Sequence, residues 1–151
     1  ETKIIQNEPF FREVASRIAE GERVRIRAKG NSMLPLIRDG KDDVILEKPN
    51  NRSFRVGRLL LVKLVGGGYV LHRIKIIADD FIVLQGDGNL SVFETCTRED
   101  VIAEATEVIR NGKEIRVGST RWNLYRYLWP KSPFLRRVCL ALYRRMPLFK
   151  K

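Results

Sequence analysis

Between Arg23 and Val117 the chain is cut into short apolar segments by turn material, and nothing in this span resembles a βαβ crossover. The segments "RVRIRA", "DVILEK", "RLLLVKLV", "GYVLHRIKII", "FIVLQ", "VIAEATEVI" and "KEIRV" read as strands. "KPNNRS", "GGG", "ADD", "GDGN" and "NGK" lie between them. Gly, Pro, Asn and Asp punctuate a chain because each accepts or pre-sets the backbone angles that turns require. In "RVRIRA", Val24 and Ile26 fall on one side and Arg23, Arg25 and Arg27 on the other, the period of two that marks a half-buried strand. Turns spaced by about eight to twelve residues predict an antiparallel, coiled or barrel-like sheet. The fold class is mainly β.

The two ends of the chain follow a different period. "NEPFFREVASRIAEG" predicts an amphipathic helix capped by Asn7, with Pro9 in its first turn, Gly21 past its end, and Phe10, Val14 and Ile18 on one face. "STRWNLYRYLWPKSPFLRRVCLALYRRMPLFKK" predicts two short helices broken at Pro130 and Pro133. In the second, Leu135, Val138, Leu142 and Met146 line one face, with Arg136, Arg137 and Arg144 opposite. At 151 residues the chain fits one domain with a real core. It divides into a body, residues 1–120, and a basic aromatic tail, residues 121–151.

That division is sharpest in the charge. Of 29 basic residues, nine lie in residues 121–151, where no Asp or Glu occurs; the first 120 residues hold the other 20 against all 18 acids. The body is near neutral and the tail carries the excess. Two readings of the tail stand side by side. It packs on the body through its apolar face, or it lies on an anionic membrane surface with Trp122, Tyr125, Tyr127 and Trp129 at headgroup level. No apolar run approaches the roughly 20 residues of a membrane span, and the first residues lack the apolar core of a secretory signal. The sequence does not begin with Met, as expected of a trimmed chain. Cys96 and Cys139 lack CxxC spacing and read as free thiols. Two cysteines and one histidine make no zinc set, and no metal or organic cofactor is implied.

Three clusters carry possible chemistry. In "AKGNSMLPLIRDGKDD" a serine, Ser32, sits in a turn that Gly30 makes tight, and its backbone N–H is a possible oxyanion donor. His72, the one histidine, would share a strand face with Val70, Ile74 and Ile76, opposite Tyr69, Leu71, Arg73 and Lys75. A satisfied core histidine and a base kept neutral by burial both fit that placement. "LQGDGNLSVFETC" offers Asp87 in a tight turn and Glu94 beyond it, either of which could orient the histidine.

The order "GNSMLPLIRDG", then "YVLHRI", then "GDGN" resembles the signal peptidase I and LexA-like peptidase superfamily over residues 28–110, with "VGRLLLVKL" standing where that family has a V-G-D-x-V strand. The resemblance implies a LexA/signal-peptidase-like coiled antiparallel sheet and a serine peptidase. Histidine followed by Arg73 matches the archaeal and endoplasmic-reticulum-type signal peptidases, which use histidine where their relatives use lysine. It assigns Ser32 as nucleophile and His72 as general base, with Asp87 the first and Glu94 the second choice of orienting carboxylate. Three departures stand out. Phe93 occupies the place of a further aspartate, Gly30 stands where many signal peptidases have Ser or Thr, and the usual N-terminal anchor is absent from this sequence. Asn31 is a possible substitute amide donor, and Met33 a possible wall of a shallow pocket.

The expected function is a serine endopeptidase that removes a leader or signal segment from a peptide or protein, peripheral to a membrane through residues 121–151. The alternatives are a LexA-like regulator and a non-catalytic peptide-binding member. About twenty residues before the strands leave no room for a helix-turn-helix module, which makes nucleic acid an unlikely partner.

Overall fold

The computed structural model describes residues 8–145. Its centre is an eight-stranded antiparallel sheet, accompanied by three helices. Helix α1 (Glu8–Ala19) precedes β1 (Val24–Arg27), β2 (Asp43–Glu47), β3 (Leu59–Lys63), β4 (Tyr69–Ile77), β5 (Ile82–Gln85), β6 (Glu94–Cys96), β7 (Val101–Arg110) and β8 (Lys113–Arg116). Helices α2 (Thr120–Leu128) and α3 (Pro133–Arg145) follow. The strands run in the order β1-β2-β7-β3-β4-β5-β6, with β8 paired to β7. Every pairing is antiparallel, and the ladders β2–β7, β3–β7 and β4–β5 each contain a register shift.

Consecutive residues of β3 explain how the sheet is buried on both sides. Leu59 and Leu61 join one apolar cluster, whereas Leu60 and Val62 join another, because side chains alternate across a strand. The first cluster takes in Phe11, Val14 and Ile18 of α1, Met33, Leu36 and Ile37 of the β1–β2 connection, and Trp122 of α2. The second contains Val70 and Ile74 of β4, Ile82 and Leu84 of β5, and Cys96 of β6. Each aliphatic side chain fully buried in this way contributes about 1.5–3 kcal/mol of transfer free energy.

All seven strand segments expected from the apolar runs and the turn material between them form strands. The eighth, β6, has three residues, too few to show a period. Helix α1 forms, but its buried stripe is Phe11, Val14 and Ile18. Phe10 is 42% exposed and meets Phe11 edge-on at 5.1 Å instead of filling the core. Neighbouring aromatics left two possible stripes, and contact of Phe11 with the Tyr69 ring, stacked at 4.6 Å, selects one. Asn7, the expected cap, and Met146 lie outside the described residues. Among those residues no helix is long and apolar enough to cross a membrane.

On β4 the expected face of Val70, His72, Ile74 and Ile76 holds only as far as Ile74. The ladder to β5 slips between Ile74 and Ile76, and Ile76 turns out to solvent at 54% exposure.

The tail differs most from expectation. Helix α3 packs on the body through Arg136 and Leu140, which are buried. Leu135, Val138 and Leu142 remain 51%, 40% and 55% exposed. The face that the first of the two readings would dock on the body is the outer one, and Arg136, placed opposite it, is one of the two residues that are buried. The reason is a set of carbonyls that only a long cation reaches: Arg136 donates through Nε to Pro130 O at 2.6 Å and through Nη1 to Asn89 O at 3.0 Å.

Candidate active site

The serine turn is held from below by a buried charge network. Asp42, fully buried, accepts from the Arg38 backbone N–H at 2.8 Å and from the guanidinium groups of Arg38 and Arg110 at 2.8 Å each. Burial opposes ionisation of Asp42, but the hydrogen bonds from Arg38 and Arg110 outweigh it and its pKa is lowered. Arg110 also donates to Pro35 O and Leu36 O, at 2.9 and 2.8 Å. One guanidinium from β7 therefore fixes the connection just beyond Ser32. Met33, Leu34, Leu36 and Ile37 are buried beneath the turn, Asn31 is exposed, and Ser32 is half-buried at its rim.

A second loop, Gly86–Asn89 after β5, bears directly on that turn. The Gly88 N–H donates to Ser32 O at 2.7 Å. Glycine is needed at both positions for close approach. A Cβ on Gly86 would lie 2.3 Å from Ser32 O and 3.0 Å from His72 Nε2. One on Gly88 would lie 2.3 Å from Asn31 O. The serine turn and the histidine ring thus crowd the same glycine. The Asp87 N–H points to Met33 Sδ at 3.4 Å, so Met33 braces the loop as well as lining the cleft.

His72 is fully buried on β4. Its Nδ1 lies 2.7 Å from Oε2 of Glu94, the first residue of β6. With the proton on Nδ1 the ring donates to Glu94 and presents the Nε2 lone pair on its other side. Nε2 has no hydrogen-bond partner among the described residues, so it is not bonded to the Ser32 hydroxyl. Such contacts are often open until substrate is bound.

Asp87, the first choice of orienting carboxylate, is elsewhere. It takes a bidentate pair from Arg73, Nε to Oδ1 at 2.8 Å and Nη2 to Oδ2 at 2.6 Å, with both residues buried. Arg73 is the neighbour of His72 on the strand and therefore points to the opposite face. The alternation that sends His72 to Glu94 sends Arg73 to Asp87. Glu94, not Asp87, is therefore the carboxylate in contact with His72, and Asp87 closes a buried ion pair with Arg73 in the Gly86–Asn89 loop. No sequence signal separated the two acids, because the pairing depends on the short strand β6 being hydrogen-bonded to β5.

Ser32 and His72 line a common cleft of about 380 Å³. Its walls are mostly apolar and include Ile26, Met33, Leu61 and Leu71, with Phe10 and Phe11 at one end. Gly30, with φ of +91°, enters it from the turn. Cys96 is not activated as a thiolate. Burial, reinforced by the charge of Asp100, pushes its thiol up to about 11, and Cys139 is likewise a free thiol. Among the described residues no group of three His, Cys, Asp or Glu side chains is placed to hold a metal ion.

No family model, curated protein or solved structure matches this chain.

Proposed function

We propose that this chain is a serine endopeptidase of the signal-peptidase type, cutting a leader or signal segment from a peptide or protein. The observation that carries the reading is the 2.7 Å contact of His72 Nδ1 with Glu94, which turns an unpartnered Nε2 toward the glycine that also touches the Ser32 carbonyl. The order of "GNSMLPLI", "YVLHRI" and "GDGN" in the sequence supports the same reading by resemblance.

In this reading Ser32 Oγ attacks the carbonyl carbon of the scissile bond and its proton passes to His72 Nε2. Glu94, fixed to Nδ1, keeps the ring in the tautomer whose lone pair is on Nε2 and stabilises the imidazolium as it forms. The carbonyl oxygen gathers charge opposite the Ser32 backbone N–H, with the Asn31 amide as a second donor. Collapse breaks the C–N bond, and Nε2 returns its proton to the departing amine. Water, deprotonated by the same nitrogen, then hydrolyses the acyl-serine and restores the hydroxyl. The apolar cleft suits small uncharged residues beside the cut.

Cleavage of a peptide library with small residues around the cut site tests this, with wild type run beside Ser32→Ala and His72→Ala. Loss of cleavage in both variants with folding retained is expected. If wild type cuts nothing and Ser32 resists a serine-directed electrophile, the cleft is a peptide-binding site without catalysis.

A further inference from the structure

Helices α2 and α3 bury one set of side chains and leave a second, equally apolar set in solvent. Trp122 and Leu140 are buried, whereas Leu124, Leu128, Phe134, Leu135, Val138 and Leu142 are exposed, Leu128 and Phe134 by 70% and 72%. In α3 the two sets follow separate helical stripes. Arg136, Leu140 and the half-buried Tyr143 face inward, while Leu135, Val138 and Leu142 face outward. Isolated exposed leucines are ordinary, but a whole unpartnered stripe marks an interaction surface.

The charge around this stripe identifies its occupant. Residues 120–145 contain no acid, and Arg121, Lys131, Arg137, Arg144 and Arg145 are exposed. A protein partner of ordinary composition needs no such one-sided field, and a second copy of the chain would place like charges against each other. An anionic bilayer satisfies both features, since its headgroups take the cations and its acyl boundary takes the leucines.

We infer that the outer face of α2 and α3 docks on an anionic phospholipid surface. The same helices also hold the proposed active site. Trp129 Nε1 donates to Asp87 O at 2.6 Å, Arg136 to Asn89 O at 3.0 Å, and Arg126 to Val56 O at 2.8 Å. Two of these three bonds fall on the Gly86–Asn89 loop that presses against Ser32. The lipid-facing and loop-holding residues occupy opposite sides of one short helical pair, so the cleft is carried at a fixed distance from the bilayer. Docking itself does not depend on the peptidase reading.

The test is co-sedimentation of the full chain with vesicles of phosphatidylcholine alone and of phosphatidylcholine mixed with phosphatidylglycerol. Binding to the mixed vesicles should be roughly tenfold tighter or more and should weaken with added salt. Leu135→Glu and Leu142→Glu, both at exposed positions, should lose binding while melting like wild type. Arg137→Gln with Arg144→Gln should lose only the preference for the anionic lipid. Ser32→Ala should bind as wild type does, which separates this inference from the catalytic one. Equal binding to both vesicles, no binding to either, or a dimer in solution that Leu142→Glu dissolves would each overturn it.

Discussion

At the scale of single residues, the two acids near the site have different partners, and substitution separates the duties proposed for them. Glu94→Gln keeps a hydrogen-bonding side chain beside His72 but removes the charge that, on the proposed mechanism, steadies the imidazolium. Turnover should fall by about 10²–10⁴-fold with the melting temperature nearly unchanged. Asp87→Asn strands the buried Arg73 guanidinium and should destabilise the fold by about 3–5 kcal/mol, read from denaturant midpoints. If Asp87→Asn instead melts normally while turnover collapses, the assignment of the two carboxylates is reversed. Gly86→Ala drives a methyl against Ser32 O at 2.3 Å. It should cost about 1–3 kcal/mol and, on the proposed mechanism, abolish cleavage, because the backbone that must yield carries Ser32. From sequence the serine, the histidine and both carboxylates were legible as candidates. Their pairing was not, since it follows from which face of β4 each neighbour occupies and from a strand three residues long.

Among the elements, the connection between β1 and β2 owes its shape to one buried carboxylate. Asp42 has a lowered pKa because Arg38 and Arg110 favour its charged form over the cost of burial. A carboxyl depressed in the fold stabilises the protein at pH values above its unfolded pKa of about 3.9, and that contribution is lost as pH falls through the lower folded value. Asp42→Asn should therefore destabilise the protein at neutral pH by roughly 3–5 kcal/mol and flatten the acid limb of its stability profile, both measurable by denaturant titration at several pH values. Apolar runs bounded by turn residues made seven of the eight strands readable, because each has at least four residues, whereas β6 has three. Helix α1 was equally plain, except that Phe10 and Phe11 competed for one place in its stripe. The seating of α3 was hidden for a physical reason: an arginine reads as a surface residue until its donors meet Pro130 O just before the helix and Asn89 O from a distant loop.

Over the whole molecule, a nearly neutral body and a strongly basic tail meet at Lys75. Burial first, and then the charge of Arg136, pull the Lys75 pKa down to about 8, with Arg73 and Lys131 adding to that pull and Asp87 opposing it. The unfolded chain takes up this proton at about 10.4, so between these values it binds more protons than the fold does, and stability rises with pH. Lys75→Met should raise the melting temperature near neutral pH, and its advantage should shrink as pH climbs from about 8 to about 10. A constant difference across that range would mean that the Lys75 pKa is not depressed in the fold. The bond from the Trp129 indole to Asp87 O has one more consequence. The chain has two tryptophans, and the other, Trp122, is sealed in the core. A Trp122→Phe protein would therefore carry a single tryptophan, bonded to the loop that packs against the Ser32 turn, and on the functions proposed above its emission would register substrate arriving on one side of that loop and lipid arriving on the other.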